Sequence, residues 1–301
     1  MITLSELAAL HDEYAEAWAT PMEPVVIPHA SGDVVIGDGP VTLMSCINLS
    51  RDSTYRESVA VDTDSAVRMG RVQVAQGAQI VDLGAESSNA KAGRVGSGDQ
   101  IAQLVPVVKE LAPEAVVSVE TYEPTVVEAC LTAGAQVLNL TGRQHEHDIL
   151  RLAAEHDATV VLCFGLTANV RDLGDVPPPD EDPFPALLDH FGQRLTRARE
   201  LGVTRLVVDP GMGFTYTNLT TPLGRANFQT RVLAQTFRLR ALGVPVCNVL
   251  PHTYDLFADE FRKAEGFYGV FAALGGTHLL RIHEVPHLRT VLGALDALSV
   301  R

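Results

Sequence analysis

Short apolar runs alternate along the chain with longer segments whose apolar positions recur every three or four residues. Eight of the short runs are Val41–Asn48, Gln79–Gly84, Ala115–Glu120, Ala135–Leu140, Thr159–Phe164, Arg205–Asp209, Pro245–Leu250 and His278–Ile282. Most are apolar at consecutive positions, as parallel strands buried on both faces must be. Between them lie segments such as SAVRMGRVQVAQG and EPTVVEACLTAG, which have helical spacing and end on a glycine suited to a helix C-cap. Eight β–α units in roughly 250 residues predict an α/β fold, a TIM (β/α)8 barrel. An open doubly wound sheet is the alternative, and it is disfavoured because no GxGxxG follows the first strand.

Ahead of the first barrel strand, VVIGDGPVTLM places Gly37, Asp38 and Gly39 between two apolar runs. This reads as a hairpin able to close the barrel floor. An added helix over Ser5–Thr20 and a proline-containing linker precede it, so the chain divides into an extension, 1–28, and a barrel, 29–301. The segment Val176–Pro185 is rich in proline and acid. It belongs to a long loop after the fifth strand, as a lid or a solvated loop that cannot be helical throughout.

The composition of the 301 residues, 46% hydrophobic and 20% charged, is that of an ordinary globular enzyme. A formal net charge of -14 changes the picture more. It repels nucleic-acid backbones and anionic lipid, so neither is an expected partner. An anionic substrate would need a local island of Arg or His. No apolar run reaches the roughly 18 residues of a membrane helix, and the start lacks a signal-peptide pattern. Cys46, Cys130, Cys163 and Cys247 all sit in apolar runs with no CxxC pair. They read as reduced, buried thiols of a cytoplasmic protein.

In this fold, chemistry sits at the C-terminal ends of the strands. The polar residues there are Asn48 and Asp52, then Glu86, Ser87, Ser88 and Asn89, then Glu120, Asn139, Asp209, His252, Arg281 and His283. A carboxylate facing an N–C–NH2 edge makes two parallel charge-assisted hydrogen bonds, and an Asn amide both donates and accepts. Glu120, Asn139 and Asp209 therefore suit a flat, amidine-like heterocycle. Arg281 and His283, alternate on the last strand, suit a phosphate or diphosphate. Asn48 and Asp52 suit a Mg2+ bridging that diphosphate. His145-Glu146-His147 has metal-site spacing, but on a helix start positions i and i+2 diverge. Surface histidines are the simpler reading, with a zinc cluster shared with His252 and His283 as the alternative.

Several of these stretches resemble dihydropteroate synthase and its pterin-binding relatives. They are CINLSRDS, IVDLGAESS, VSVETY, VLNLTG, VVDPGMGF and LLRIHEV, in order from about Val41 to the C-terminus. The resemblance implies a homodimeric transferase that joins a hydroxymethyl-dihydropterin diphosphate to p-aminobenzoate with loss of pyrophosphate. It implies that Asp209, Asn139 and Glu120 grip the pterin and act in catalysis. It implies that Asn48, Arg281 and His283 hold the leaving diphosphate, with Mg2+ at Asn48, and that Gly211 and Gly213 serve a tight turn.

The chain also departs from that pattern. LPHT, with His252 and Thr253, stands where the family has Ser-Arg-Lys. Asn89 replaces the Arg of Ser-Thr-Arg-Pro, Thr54 replaces a Phe, and CFG replaces Met-His-Met. Lys91 is the one lysine on a top-face loop that could substitute for the missing one. The expected function is thus a pterin- or reduced-folate-binding transferase whose acceptor is not p-aminobenzoate. The alternatives are an authentic synthase with a rearranged site and a non-catalytic pterin-binding paralogue.

Overall fold

The computed structural model describes residues 2–299 except 54, 90, 173, 179 and 215. Helices α1 (Leu4–Glu13) and α2 (Ala15–Ala19) precede strands β1 (Val25–Ile27), β2 (Val34–Ile36) and β3 (Thr42–Asn48). There follow α3 (Thr63–Gln76), β4 (Ile80–Gly84), α4 (Ser97–Leu111), β5 (Val116–Glu120), α5 (Pro124–Ala133), β6 (Val137–Leu140), α6 (Glu146–Glu155) and β7 (Thr159–Cys163). The chain continues through α7 (Phe184–Glu200), β8 (Arg205–Asp209), α8 (Pro222–Ala234), β9 (Cys247–Val249), α9 (Tyr254–Phe257), α10 (Ala264–Leu274), β10 (Leu279–Ile282) and α11 (Val285–Ala297).

Strands β3 to β10 form one sheet in the order β8-β7-β6-β5-β4-β3-β10-β9, with every pairing parallel. A parallel bridge between Val208 and Val246 joins the two edges, so the sheet closes into the barrel that the eight apolar runs predict. The helices pack outside it over a continuous apolar layer. Local sequence explains their limits. Asp62 caps α3 by accepting the Ser65 N–H, and Gly77 ends that helix at φ 114°, a left-handed conformation open to glycine at little cost. Gly134 ends α5 in the same way.

Two expectations about the start of the chain need correction. The floor hairpin pairs β1 with β2, Val25 opposite Ile36. Its turn is 28–33, and Gly37-Asp38-Gly39 is the link from β2 to β3. The physical reason is alternation. Val25, Ile27, Val34 and Ile36 are buried while Val26 and Val35 are exposed, so this hairpin presents one apolar face. That face packs with Met44, Ile80, Val116, Val137 and Leu279, the inward residues at the bottom of the barrel. Asp38 is meanwhile held by Arg240 at 2.6 Å. The added helix is also two helices, broken at Tyr14, whose φ of -118° is not helical. The break sets the Tyr14 ring over the Arg238 guanidinium at 3.7 Å and Trp18 against Phe237 at 5.2 Å.

Candidate active site

Period two along each strand decides which side chains enter the barrel. Above the apolar floor the next inward positions are Cys46, Asp82, Ser118, Asn139, Cys163, Asp209 and Arg281. The strands are staggered: Cys46 lies opposite Asp82, Asp82 opposite Ser118 and Cys163 opposite Asp209, while Asn139 lies opposite Glu120, one inward step above Ser118. The C-terminal mouth is thus a polar ring over a hydrophobic plug.

The ring is one hydrogen-bonded network. Asp82 accepts from Ser118 Oγ at 2.6 Å, from Asn139 Nδ2 at 3.1 Å and from Arg281 Nε at 2.7 Å. Arg281 Nη2 donates to Glu120 at 2.7 Å. Asn139 Oδ1 accepts from the Cys163 thiol at 3.2 Å. Asp209 Oδ1 accepts the Gly211 N–H at 2.7 Å. Gly211 has φ 80°, and a Cβ there would stand 3.2 Å from the Phe164 carbonyl, so the glycine shapes the turn that presents Asp209. Burial raises the Asp209 carboxyl to about 6, against the Gly211 N–H and Arg281, which favour the charged form. Burial likewise pushes Glu120 up against the pull of Arg281. Asp82 is a site residue that sequence reading missed. Its signal was a lone acid inside the apolar run IVDLG.

Above the ring lies a cavity of about 650 Å3, a size suited to a small organic ligand. Glu120, Asn139, Asp209, Asn48, Ser88, Asn89, His252, Arg281 and His283 all line it. Lys91, Arg171, Arg225 and Gln229 line it as well. Asn48 donates from Nδ2 to Ser58 Oγ at 2.6 Å and leaves Oδ1 beside Gly84. A single hard oxygen fits a Mg2+ that takes its other ligands from water and phosphate.

The geometry corrects other expectations. Asp52 is exposed and does not line the cavity; its main-chain carbonyl accepts from Ser87, so it does not join Asn48 in an ion site. Arg281 and His283 do not stand as a free anion pair. Arg281 spans Asp82 and Glu120, and His283 Nδ1 lies 2.9 Å from Glu265, because buried carboxylates already surround both. Asn89 is exposed, and its Oδ1 accepts from the Lys91 N–H, bracing its own loop. Thr253 sits in a left-handed conformation and donates to Tyr268 at 2.8 Å. Thr54 lies outside the described residues. His145-Glu146-His147 does not converge on His252. Glu146 is buried against Arg194 at 2.5 Å, and His147 is exposed beside Arg197.

Two loops roof the cavity. Glu86 accepts from Tyr122 at 2.8 Å and pairs with Arg94 at 3.0 Å and Arg171 at 3.4 Å. Arg171, in the loop after β7, also donates to the carbonyls of Ser87 and Ala92 in the loop after β4. The acidic, proline-rich stretch is held at both ends, with Val176 hydrogen-bonded to the Asn218 side chain and Asp182 paired with Arg238 at 2.6 Å.

A (β/α)8 barrel whose mouth is a carboxylate–amide ring under a cavity defines a class. The chain belongs to the pterin-binding enzyme family, whose model matches residues 44–246. It is a transferase similar to dihydropteroate synthase. The Bacillus subtilis dihydropteroate synthase is 27% identical over 271 residues, covering 85% of this chain and 88% of its own. The Escherichia coli dihydropteroate synthase is 26% identical, covering 85% and 90%. A probable bifunctional folylpolyglutamate synthase/dihydropteroate synthase of Haloferax volcanii is 29% identical, and the match spans only 29% of that longer protein. The structure of Thermus thermophilus dihydropteroate synthase in complex with 4-aminobenzoate superposes with a TM-score of 0.73 at 26% identity, covering 92% of this chain and all of that one. Among the described residues no helix is long and apolar enough to cross a membrane.

Proposed function

We propose that the chain transfers the methylene carbon of a pterin methyl diphosphate to an amine, releasing diphosphate. The methylene–oxygen bond breaks and the diphosphate leaves with its electron pair. A methylene–nitrogen bond forms as the amine sheds a proton. One observation carries this reading: Asp209, Asn139 and the Asp82–Arg281–Glu120 relay converge at the base of one cavity. Above pH about 6 Asp209 is ionised and can accept two N–H groups of the pterin edge. Asn139 supplies the adjoining amide. As the leaving bond stretches, positive charge develops on the ring, and the carboxylates of Asp209 and Glu120 stabilise it without reorganising. Mg2+, when bound with the diphosphate at Asn48, would neutralise the leaving charge. A reduced folate, which carries the same ring edge, fits the same grip.

We further propose that the acceptor is an amine other than p-aminobenzoate. His252 is turned toward Glu265 and Thr253 toward Tyr268, so neither brings a cation to Asp209. Arg281 is the cation that acts on it. Lys91, Arg171 and Arg225 line the cavity besides Arg281, and Arg225 Nε is buried with no hydrogen-bond partner. An acceptor bearing an anionic group fits them, a requirement that p-aminobenzoate also meets, so the departure from p-aminobenzoate rests on the lysine missing beside Asp209. The second reading, an ordinary dihydropteroate synthase, is favoured by the 4-aminobenzoate complex of the Thermus thermophilus relative. Pyrophosphate release from Mg2+, hydroxymethyl-dihydropterin diphosphate and p-aminobenzoate separates the two. A loss of about 4 kcal/mol in transition-state binding would set kcat/KM roughly a thousandfold below that of an ordinary synthase. A value within tenfold, suppressed by a sulfonamide, would establish the second reading.

The reading carries a homodimer and a cytoplasmic location with it. Exposed Phe267 and Leu274 on α10 and Leu223 on the adjoining α8 support the first. Four buried, unpaired cysteines support the second. Light scattering tests the dimer.

A further inference from the structure

Glu265, in the first turn of α10, is fully buried, and no Lys or Arg among the described residues pairs with it. Its neighbours are two imidazoles. Oε1 lies 2.9 Å from His283 Nδ1 and 3.3 Å from His252 Nε2. The main-chain N–H groups of His283 and Glu284 also donate to the carboxylate, at 2.9 and 2.8 Å, and fix its orientation. His252 Nε2 is buried with no hydrogen-bond partner, since its approach to Glu265 lacks hydrogen-bond geometry. The Tyr55 ring stacks on His283 at 4.2 Å and lies 4.5 Å from His252, holding both rings in place. His252 and His283 line the cavity, and Glu265 stands behind them.

We propose that His252, Glu265 and His283 bind one divalent transition-metal ion, of the Zn2+ type, at the rim of the cavity. The three ligand atoms lie within 4.8 Å of one another. Bonds of roughly 2.0–2.2 Å give ligand-to-ligand edges of about 2.9–3.5 Å in four- to six-coordinate sites, and both distances to Glu265 fall in that range. Two imidazoles and a carboxylate select Zn2+ and its neighbours over Mg2+ or Ca2+, which prefer all-oxygen shells. The ion would compensate the buried carboxylate and occupy the orphaned lone pair of His252. Three protein ligands leave coordination positions open toward the cavity, where an oxygen of an anionic ligand can enter. The ion's capture does not depend on the pterin reading, because its three ligands hold no part of the pterin ring.

The test uses the untagged full chain, stripped with a chelator and titrated with Zn2+ against a chromophoric competitor. Co2+ gives a second readout through its visible absorption. The expected result is one equivalent per chain, with affinity at least tenfold weaker in His252→Ala. That substitution leaves the main-chain hydrogen bonds of Glu265 in place, whereas replacing Glu265 would also untie the turn between β10 and α11. His252→Asn is the reserve should the alanine variant fail to fold. Absence of a saturable one-equivalent site overturns the proposal. So does unchanged affinity in His252→Ala, or loss of binding in His147→Ala instead, which would place the ion on surface histidines.

Discussion

Asp209, ionised, works against the fold. A carboxyl raised from 3.8 to about 6 holds its proton more tightly in the folded chain. Its contribution therefore favours the fold below pH 3.8 and is lost as the pH climbs through about 6. Asp209→Asn should be more stable than the parent at pH 7, by up to about 3 kcal/mol at 1.36 kcal/mol per unit. The Asn Oδ1 can still accept the Gly211 N–H, which keeps the turn. Pterin affinity should move the other way, falling tenfold or more for the loss of about 1.5–3 kcal/mol in charged hydrogen bonding. Calorimetric titration beside thermal melts reads both effects. In the parent, affinity should weaken as pH drops through about 6, because the protonated carboxyl accepts one N–H fewer, and this slope should vanish in the variant. A pH-independent affinity in the parent would remove Asp209 from the ligand contact. Asp209 and Glu120 were legible in the sequence because each closes an apolar strand, and Asn139 because it is the polar residue next to the end of one. Glu265 was not, because it sits on a helix and its meeting with His252 and His283 is made by the packing of α10 against α11.

Among the elements, the floor hairpin and the roof loops bracket the cavity. Ile36 is fully buried in the plug beneath the ring. Ile36→Ala should cost about 2–5 kcal/mol of stability, measured by urea unfolding, with little change in the mouth. Arg171 ties the loop after β7 to the carbonyls of Ser87 and Ala92 and to Glu86. Arg171→Ala should free that loop, so limited proteolysis between residues 165 and 183 should accelerate severalfold while the barrel stays intact. An unchanged cleavage rate would mean that Asn218 and Arg238 hold the loop without it. The sequence showed an unhelical loop here, through its prolines and acids. Its anchoring depends on hydrogen-bond partners 42 to 84 residues away, which no local pattern records.

At the scale of the whole molecule the net charge of -14 opposes the approach of a diphosphate. Screening should therefore help: the Debye length falls from roughly 30 Å near 0.01 M salt to roughly 8 Å near 0.15 M. The association rate of a pterin diphosphate, followed by stopped-flow fluorescence, should rise across that interval, opposite to the trend for a basic protein. A falling rate would mean that Lys91, Arg171 and Arg225 outweigh the global field at the cavity mouth.

The sequence by itself determined the barrel. Eight apolar runs can be buried only as parallel strands covered on both sides, and capping residues such as Asp62 and Gly77 set where helices begin and end. It also determined which strand ends carry polar groups, since strand period is a local property. Tertiary structure alone decided how those groups are used. Barrel closure brings Arg281 of the last strand to Asp82 and Glu120, 199 and 161 residues away, so an apparent anion binder becomes the counterion of the ring. It chose β1 over the Gly-Asp-Gly link as the arm of the hairpin, because only that pairing offers the barrel floor one apolar face. A buried charge takes the nearest opposite charge that the fold supplies, and that distance is set by the closed sheet and not by the order of residues along it.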